Sequence, residues 1–541
     1  MYALAAGEGM RLRHLKIESS SASGGLFDGL EVWFGRGADG QSNDSLAPIC
    51  MIGPNGSGKS QFLQLLAEIF QAAWHAHNPA EERRSANEDI LFSVTYLINL
   101  HGADKQEEVR LVRAKRGRAA GPIEVFVNGS EKSIKAGTLG FEKYLPSIVV
   151  GYTSGDNETL SLPFLVSRSG YAEDVARAAF GDSVKKTVPE NRLMLVDYGT
   201  NLEVLFSNLI LGSEEARREI LRHARLSDLA SCRCVVRLAH SVINKAPKKR
   251  TKITGRKGIQ LTDELESIIK SLKCTATCWA EDEKTETYTF DFFINDATRL
   301  AFTYFWDDAF SLYRALHKLA LLNDLAIPRP ARKRLDRAVK ERRFASRLPE
   351  PQQEDMVFGF EEVRFWPSDE SRKAVDYVSL SDGEHQQALV LGAYAMMTDS
   401  NALFLFDEPE SHFNPQWRVK FVQRLMELTG ARANQELLLT SHAPFVPSDM
   451  PREQVLIFER NDGKIIVKEP PVETFGATFD RILEACFNIR PPISRIAEER
   501  INELLMSEDI TEVEHVLGEL GQSVEKAFLA DHLRRLKNKK S

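Results

Sequence analysis

Residues Gly53 to Ser60 read Gly-Pro-Asn-Gly-Ser-Gly-Lys-Ser and have the residue types and spacing of a phosphate-binding loop. An apolar run, 46–52, precedes them and an apolar-periodic segment, 61–66, follows, which predicts a strand, a glycine-rich turn and a helix. Backbone N–H groups of such a turn, with the helix N-terminus, surround a polyphosphate. The predicted nucleotide contacts are Asn55, Gly56, Ser57, Gly58, Lys59 and Ser60, with Lys59 on the β- and γ-phosphates of ATP and Ser60 on Mg²⁺.

Two carboxylates, Asp407 and Glu408, come directly after the apolar run 402–406. A buried strand would fix their positions, so that Asp407 holds Mg²⁺ through water and Glu408 polarises an attacking water. A solvated turn is the alternative for an acidic pair at a strand end. A phosphate loop in the same chain favours the catalytic interpretation and predicts an ATPase.

A further anion site is predicted at the start of the helix that follows Leu380-Ser381-Asp382-Gly383-Glu384. Ser381 supplies a hydroxyl and Gly383 leaves backbone N–H groups accessible at a helix N-terminus. An ordinary N-cap is the alternative interpretation of the same residues.

In their order along the chain, these segments and His442 resemble the phosphate loop, signature, Walker B pair and switch histidine of ABC-type ATPases of the SMC, RecF and Rad50 group. The resemblance implies that His442 contacts the γ-phosphate and that 411–415 crosses a dimer interface. It also implies ATP shared between two copies, with Lys59 and Glu408 of one facing Ser381 of the other. Asp382 and Glu384 replace the signature's second glycine and its glutamine. No glutamine follows Tyr152, so the usual glutamine-loop contact to Mg²⁺ is not predicted.

The segments Gly53–Ser60, 407–410, 440–444 and 474–483 together resemble the ATPase subunit of Septu antiphage systems (PtuA-like), including retron-associated copies. That resemblance implies a homodimer or higher oligomer that holds an HNH nuclease (PtuB-like). In retron versions a reverse transcriptase and its multicopy single-stranded DNA join the complex. Two alternatives stay open: a RecF- or Rad50-like repair ATPase acting on DNA ends, and a nucleotide-gated scaffold with negligible turnover. No carboxylate cluster of a nuclease is recognisable in this sequence.

The elements that must position these residues predict an α/β fold, in which an ABC-type ATPase head is split by a mostly helical insertion. We assign 10–160 to the N-terminal part of the head, 161–354 to the insertion or lid, 355–490 to the C-terminal part, and 491–541 to a helical tail for partner docking. A strand-like patch near 285–294 interrupts the insertion.

Composition limits the class of protein. The chain has 541 residues and a net charge of −7, which argues against a surface that is basic throughout. The absence of a signal peptide, of an apolar run of about 20 residues and of a cysteine framework predicts a cytoplasmic protein without a membrane segment. The pairs Cys232/Cys234 and Cys274/Cys278 lack the usual zinc spacing and are interpreted as thiols.

Two basic stretches, 245–257 and 332–347, are candidate contacts to DNA or RNA phosphates. Solvated charged faces are the alternative interpretation.

Overall fold

The computed structural model describes residues 9–20, 23–35, 48–84, 87–100, 106–155, 159–179, 187–239, 258–341, 351–369, 373–399, 401–429 and 435–540. Within them the strands are β1 (Arg11–Ser19), β2 (Glu31–Trp33), β3 (Ile49–Ile52), β4 (Leu91–Asn99), β5 (Gln106–Arg116), β6 (Ala119–Val127), β7 (Ile134–Lys135), β8 (Ile148–Thr153), β9 (Leu193–Val196), β10 (Leu226–Arg237), β11 (Cys278–Asp282), β12 (Thr287–Phe293), β13 (Phe358–Pro367), β14 (Val375–Asp376), β15 (Ala402–Asp407), β16 (Glu436–Ser441), β17 (Val455–Asn461) and β18 (Lys464–Lys468). The α-helices are α1 (Lys59–His77), α2 (Ser161–Arg168), α3 (Tyr171–Ala178), α4 (Asn201–Leu211), α5 (Glu214–Leu221), α6 (Asp263–Thr275), α7 (Asp296–Thr303), α8 (Ala309–Ala320), α9 (Arg329–Glu341), α10 (Asp382–Met396), α11 (Pro415–Arg418), α12 (Phe421–Thr429), α13 (Phe445–Ser448), α14 (Phe479–Cys486), α15 (Arg495–Met506), α16 (Ile510–Glu519) and α17 (Val524–Lys540).

A seven-stranded sheet forms the centre of the molecule, in the order β18-β17-β3-β16-β15-β8-β9. Its neighbouring strands are parallel except for the β17–β18 pair. Parallel strands end at the same edge of a sheet, and ligand sites of α/β folds form at that edge. The carboxyl ends of β3, β15 and β16 therefore gather the phosphate loop, the Asp-Glu pair and His442.

Both faces of the central sheet are buried, as the side chains of β15 show. Leu403 and Leu405 belong to one hydrophobic core, while Phe404 and Phe406 belong to the other. This alternation is the period-two pattern of a strand, applied to a strand that is apolar on both faces. The result is a rigid support for the residues that follow Phe406.

The first core lies between the central sheet, α1 and a six-stranded antiparallel sheet with the order β2-β1-β4-β5-β6-β7. The second core lies between the central sheet and the middle of the chain, including α4, α8 and α10. The α/β class predicted from the sequence is confirmed by this arrangement.

Two strands depart from the predicted domain boundaries. Strand β9, inside the segment 161–354 that we assigned to the insertion, pairs with β8 and is the edge of the central sheet. Strand β13, which we assigned to the second part of the head, pairs with β10. A five-stranded sheet, β11-β12-β10-β13-β14, therefore spans the predicted boundary at 354/355, and its β12 confirms the strand expected near 285–294.

Helices α15 to α17 pack around a small separate core made of Leu504, Val513, Leu529 and Leu533. The predicted helical character of the tail is confirmed. Among the described residues, no helix combines the length and the apolar character that crossing a bilayer requires.

Candidate functional site

The phosphate loop connects β3 to α1 in a conformation that needs glycine. Gly53, Gly56 and Gly58 all have positive φ angles, of 144°, 77° and 91°. A Cβ on Gly53 would overlap the carbonyl oxygen of Phe458, and a Cβ on Gly58 would lie 2.7 Å from Ile465 Cδ1. Gly53 thus lies too close to the backbone of β17 for a larger residue, a side chain at position 58 would have to displace Ile465, and Gly56 is favoured by its positive φ alone.

Lys59 is the first residue of α1, and its side chain folds back over the loop. Its Nζ donates hydrogen bonds to the carbonyl oxygens of Gly53, at 2.9 Å, and Pro54, at 3.3 Å. Burial lowers the pKa of Lys59 to about 8, and the nearby Glu408 and Asp407 carboxylates oppose that shift. The lysine is therefore electrostatically coupled to both acidic residues at the end of β15.

Asp407 ends β15 and is buried. Thr440 Oγ1 donates to Asp407 Oδ1 at 2.6 Å, and the Ser60 hydroxyl also bonds to this carboxyl group. Burial raises the pKa of Asp407, and the bonds from Thr440 and Ser60 work in the opposite direction. Ser60 and Asp407, which the sequence predicts as metal ligands, are thus brought into contact.

Glu408 is held in the left-handed region, with a φ of 49°, and its backbone N–H donates to Thr440 Oγ1 at 2.9 Å. Strained backbone of this kind persists where the surrounding structure enforces it, often at functional sites. The Glu408 carboxylate is part-exposed and lies 2.8 Å from His442 Nε2. The hydrogen bond from His442 lowers the pKa of Glu408, against the opposing effect of burial.

Two residues of this cluster were not predicted from the sequence. Thr440 bridges Asp407 and the Glu408 amide, as described above. Glu410 is buried, accepts a hydrogen bond from the Ser441 hydroxyl, and has its pKa raised to about 7 by burial. The available signal was polar residues at the end of an apolar strand, in Leu439-Thr440-Ser441-His442, and a second acid after Pro409.

The signature segment lies at the start of α10. Ser381 is the N-cap and forms a capping box with Glu384, whose Oε2 accepts from the Ser381 hydroxyl and amide at 2.8 Å each. A Cβ on Gly383 would lie 2.9 Å from the carbonyl oxygen of His412, so α10 packs closely on the loop that includes 411–415. Ser381 therefore acts as an ordinary N-cap in the structure. The backbone of this helix N-terminus nevertheless lies at the surface.

The loop after β8 contacts the same helix. Gln386 Nε2 donates to the Ser154 carbonyl oxygen at 3.1 Å. A glutamine thus meets this loop from α10, whereas the sequence shows no glutamine in the loop itself. Asp156 to Glu158 lie outside the described residues.

The basic stretch 245–257 also lies outside the described residues, and so does the end of the second stretch, 342–347. The part of the second stretch that is described belongs to α9. Arg332 of this helix lies 3.8 Å from Glu173 of α3. Lys333 and Arg334 are exposed.

Comparison with known proteins gives one family match and one curated relative. Residues 253–449 match the model described as AAA domain, putative AbiEii toxin, Type IV TA system. Protein ea59 of Escherichia phage lambda is 33% identical over 92 residues, which are 16% of this chain. The chain spans only 17% of the length of that relative.

Solved structures that resemble the chain include an SMC head bound to the C-winged helix domain of ScpA, with a TM-score of 0.31, 10% identity, and coverage of 86% of this chain and 97% of that one. The SMC head domain of Thermotoga maritima has a TM-score of 0.30 and 11% identity, covering 85% and 100% of the two chains. The recombination mediator RecF with ATP has a TM-score of 0.30 and 11% identity, covering 85% and 99%. At such low scores the strand order of the central sheet, and not these likenesses, defines the fold.

Residues 253–449, which contain Ser381, Asp407 and His442, are similar to an AAA-type ATPase domain.

Proposed function

We propose that this protein binds ATP with Mg²⁺ and hydrolyses it. The observation that carries the proposal is the meeting of Lys59, Asp407, Glu408 and His442 at one edge of the central sheet. Lys59 interacts with both carboxylates through charge, and His442 is hydrogen-bonded to Glu408. A glycine loop at a helix N-terminus is a site for phosphate groups, and the lysine adds the positive charge they need.

The residues present fit ATP and Mg²⁺. The backbone of the loop from Asn55 to Gly58 carries two positive-φ glycines, which turn N–H groups toward a common centre. Ser60 and Asp407 offer a hydroxyl and a carboxylate, the hard oxygen ligands that Mg²⁺ prefers. When bound, the metal ion would neutralise charge on the β- and γ-phosphates.

Glu408 is the proposed base that orients the attacking water. Its lowered pKa keeps the carboxylate ionised near neutral pH, as the role of a base requires. His442 is the proposed contact to the γ-phosphate. The contact of His442 with Glu408 would then exchange for one with the nucleotide as the site is filled.

We further propose that two copies share the nucleotide. Ser381 is exposed and stands with Gly383 at the N-terminus of α10, where a second copy could place a phosphate. The arrangement would make each ATP site dependent on dimerisation. It is supported by the motif order of ABC-type ATPases stated above.

At the level of the cell, we propose that this ATPase belongs to a Septu-like antiphage complex and controls a partner HNH nuclease. Retron-type complexes would add a reverse transcriptase with its single-stranded DNA. Support comes from the four segments that resemble PtuA-like subunits and from a family model whose description names a toxin–antitoxin system. Basic residues of α9 are the proposed contact to DNA or RNA.

The test of the enzymatic proposal is ATP turnover by the purified chain, compared with Lys59→Ala. We expect turnover that requires Mg²⁺ and falls at least 100-fold in the variant. Equal turnover in both proteins would refute the assignment of the site.

The partner proposal is tested separately, by co-purification after expression from the native operon. We expect an HNH nuclease to be recovered with the tagged chain. Recovery of the chain without a nuclease, at low salt and with ATP present, would refute the partner proposal and leave the ATPase proposal intact.

A further inference from the structure

A cavity separate from the proposed ATP site lies at the edge of the central sheet opposite the phosphate loop. It has a volume of about 350 Å³ and is lined by Ser147 and Ile148 at the start of β8 and by Arg192 and Leu193 at the start of β9. Because β8, β15, β16 and β3 run parallel, their amino ends and carboxyl ends are on opposite edges. The cavity is therefore a separate site from the proposed ATP site, with the volume of a small-molecule pocket.

One wall of this cavity carries the part-exposed ring of His317, which is stacked on the fully buried ring of Tyr313. Tyr313 and His317, one turn apart on α8, are stacked with their ring centroids 5.3 Å apart and their planes 14° apart. Burial lowers the pKa of His317 to about 4, so the imidazole is neutral at physiological pH. The uncharged imidazole, held in place by the buried Tyr313 ring, suits the face of a planar ring.

The charged residues of the lining leave one cation available. Arg192 Nε is 2.6 Å from Glu81 Oε1, and Arg314 Nε is 2.6 Å from Glu190 Oε2, so these two arginines are neutralised by carboxylates. Arg168 is held less tightly, since its closest carboxylate among the described residues, that of Asp197, is 4.0 Å away. A ligand with a single anionic group fits one available guanidinium better than a polyphosphate does.

Polar groups without a partner complete the lining. The hydroxyl of Tyr171, a residue only 2% exposed, and the Ser147 hydroxyl have no hydrogen-bond partner among the described residues. Buried hydroxyls without partners are uncommon in folded proteins, and a ligand is one way of satisfying them. Asp399 also lines the cavity and forms no ion pair within the described part of the chain. Its carboxylate is an acceptor suited to the hydroxyl groups of a sugar or to an exocyclic amine.

From these features we infer that the cavity binds a nucleoside monophosphate: a planar base against His317, the phosphate on Arg168, hydrogen bonds with the Tyr171 and Ser147 hydroxyls, and a hydrogen bond donated by the ligand to Asp399. The inference is independent of the proposed ATPase activity. The cavity is formed by residues of the central sheet and of α8, so a bound ligand would contact both the insertion and the ATPase core.

The test uses the full chain in the Lys59→Ala background, which removes the phosphate-loop lysine. Ribo- and deoxyribonucleoside monophosphates are added singly, and binding is measured by calorimetry and by the shift in Tm. We expect at least one of them to bind in a 1:1 ratio and raise the Tm. Arg168→Ala and Tyr171→Phe, added separately, should each weaken binding about tenfold, whereas Arg495→Ala, at an exposed position of α15, should not change it.

The Tyr171→Phe variant tests the site with little risk of misfolding, because it removes only a hydroxyl group. A loss of binding in both Tyr171→Phe and Arg168→Ala is therefore not explained by unfolding of one variant. The inference is overturned if none of the monophosphates binds, or if binding is equal in the parent and in both pocket variants. Equal affinity for inorganic phosphate would exclude recognition of the base, and equal affinity for the unphosphorylated nucleoside would exclude the role of Arg168; either result overturns the inference.

Discussion

His442 Nε2 lies 2.8 Å from Glu408 Oε1, so the histidine at the end of β16 is hydrogen-bonded to the acid at the end of β15. Behind this pair, Thr440 contacts both Asp407 and the Glu408 amide, and Ser441 contacts Glu410. Three consecutive residues, Thr440 to His442, thus bond to the segment 407–410 at the end of the neighbouring strand. A movement of His442 toward a phosphate would release Glu408 while the bonds beneath it hold the two strand ends in place.

Replacing Glu408 by Gln should abolish turnover while preserving ATP binding. The amide keeps the size of the side chain but cannot accept a proton from water, and general-base contributions are typically about 10²- to 10⁴-fold. Turnover measured beside equilibrium binding of ATP checks this, with ATP-dependent dimerisation followed by light scattering. A variant that retains most of its turnover would show that another group activates the water, and unchanged biological output despite lost turnover would favour the scaffold alternative.

Replacing His442 by Ala should move the acid limb of the pH profile of kcat/KM, which reports the nucleotide-free enzyme, to higher pH. The hydrogen bond from His442 lowers the pKa of Glu408, so its loss raises that pKa and protonates the base at a pH where it was ionised. The rate of the variant should therefore fall earlier as the pH decreases. His515→Ala, on the exposed face of α16, is the matched control and should keep the parental profile. An acid limb at the same pH in both proteins would contradict the coupling.

Replacing Thr440 by Val should destabilise the protein by about 1 to 3 kcal/mol, because a buried carboxyl and an amide each lose a partner without a change in side-chain volume. Thr440→Ser keeps the hydroxyl and should restore most of the loss. Chemical denaturation of each variant measures the difference in the free energy of unfolding, which is compared near the midpoints of the unfolding transitions. If the Val and Ser variants were equally stable, the hydrogen bonds of Thr440 with Asp407 and Glu408 would not contribute to the free energy of unfolding.

Within the phosphate loop, Gly53→Ala and Gly56→Ala separate steric overlap from backbone strain. Both positions have positive φ, but only the Cβ at Gly53 meets a backbone atom, since nothing lies within 4 Å of one at Gly56. Gly56→Ala should cost about 1 to 2 kcal/mol of stability from its left-handed conformation. Gly53→Ala should cost clearly more and should also abolish ATP binding. Equal effects on Tm and on ATP affinity would argue against the close approach of the loop to Phe458.

Glu410→Gln should make the protein less sensitive to pH. Burial raises the pKa of Glu410 to about 7, well above the ordinary value, so the folded state holds this proton more tightly than the unfolded chain does. Stability from this group is therefore complete at low pH and is lost as the pH rises through about 4.5 to 7, by about 1 to 3 kcal/mol. The Tm of the parent should decline across that range more steeply than the Tm of the variant.

The comparison with the parent isolates Glu410, because the other buried acids titrate equally in both proteins. Glu503→Gln, at an exposed position of α15, should leave the slope unchanged. Parallel Tm curves for the parent and Glu410→Gln would contradict the predicted titration.

The sequence predicted the parts of the site that depend on local pattern. The strand–loop–helix around Lys59 and the strand before Asp407 are local, and both are present. The partners Thr440 and Glu410 were missed, because a polar residue near the end of an apolar strand and an acid after a proline do not by themselves identify the residues that they contact. Their importance comes from which strands are neighbours in the sheet, and this is a long-range property.

The same limit explains why two strand pairings across the predicted boundaries were not anticipated. Strand β9 is only four residues long, Leu193-Met194-Leu195-Val196, and so short an apolar run lacks a recognisable period. The pairing of β10 with β13 joins segments more than 100 residues apart, and this pairing cannot be read from either segment alone. Helical periodicity around these strands suggested a mostly helical insertion, whereas the structure shows that the middle of the chain also contributes to two sheets.

The strand that carries the phosphate loop is synthesised long before the two strands with which it pairs. Strand β3 pairs only with β16 and β17 among the described strands, and both are encoded after residue 435. Loop closure over such a distance is slow and cannot begin before those segments emerge. In a nascent chain truncated before residue 435, β3 would therefore have unpaired backbone groups and exposed apolar side chains. Nucleotide binding could not assist its folding at that stage. The proposed ATP site would therefore be complete only after β16 and β17 have been synthesised, so that chains truncated before them would not compete for nucleotide.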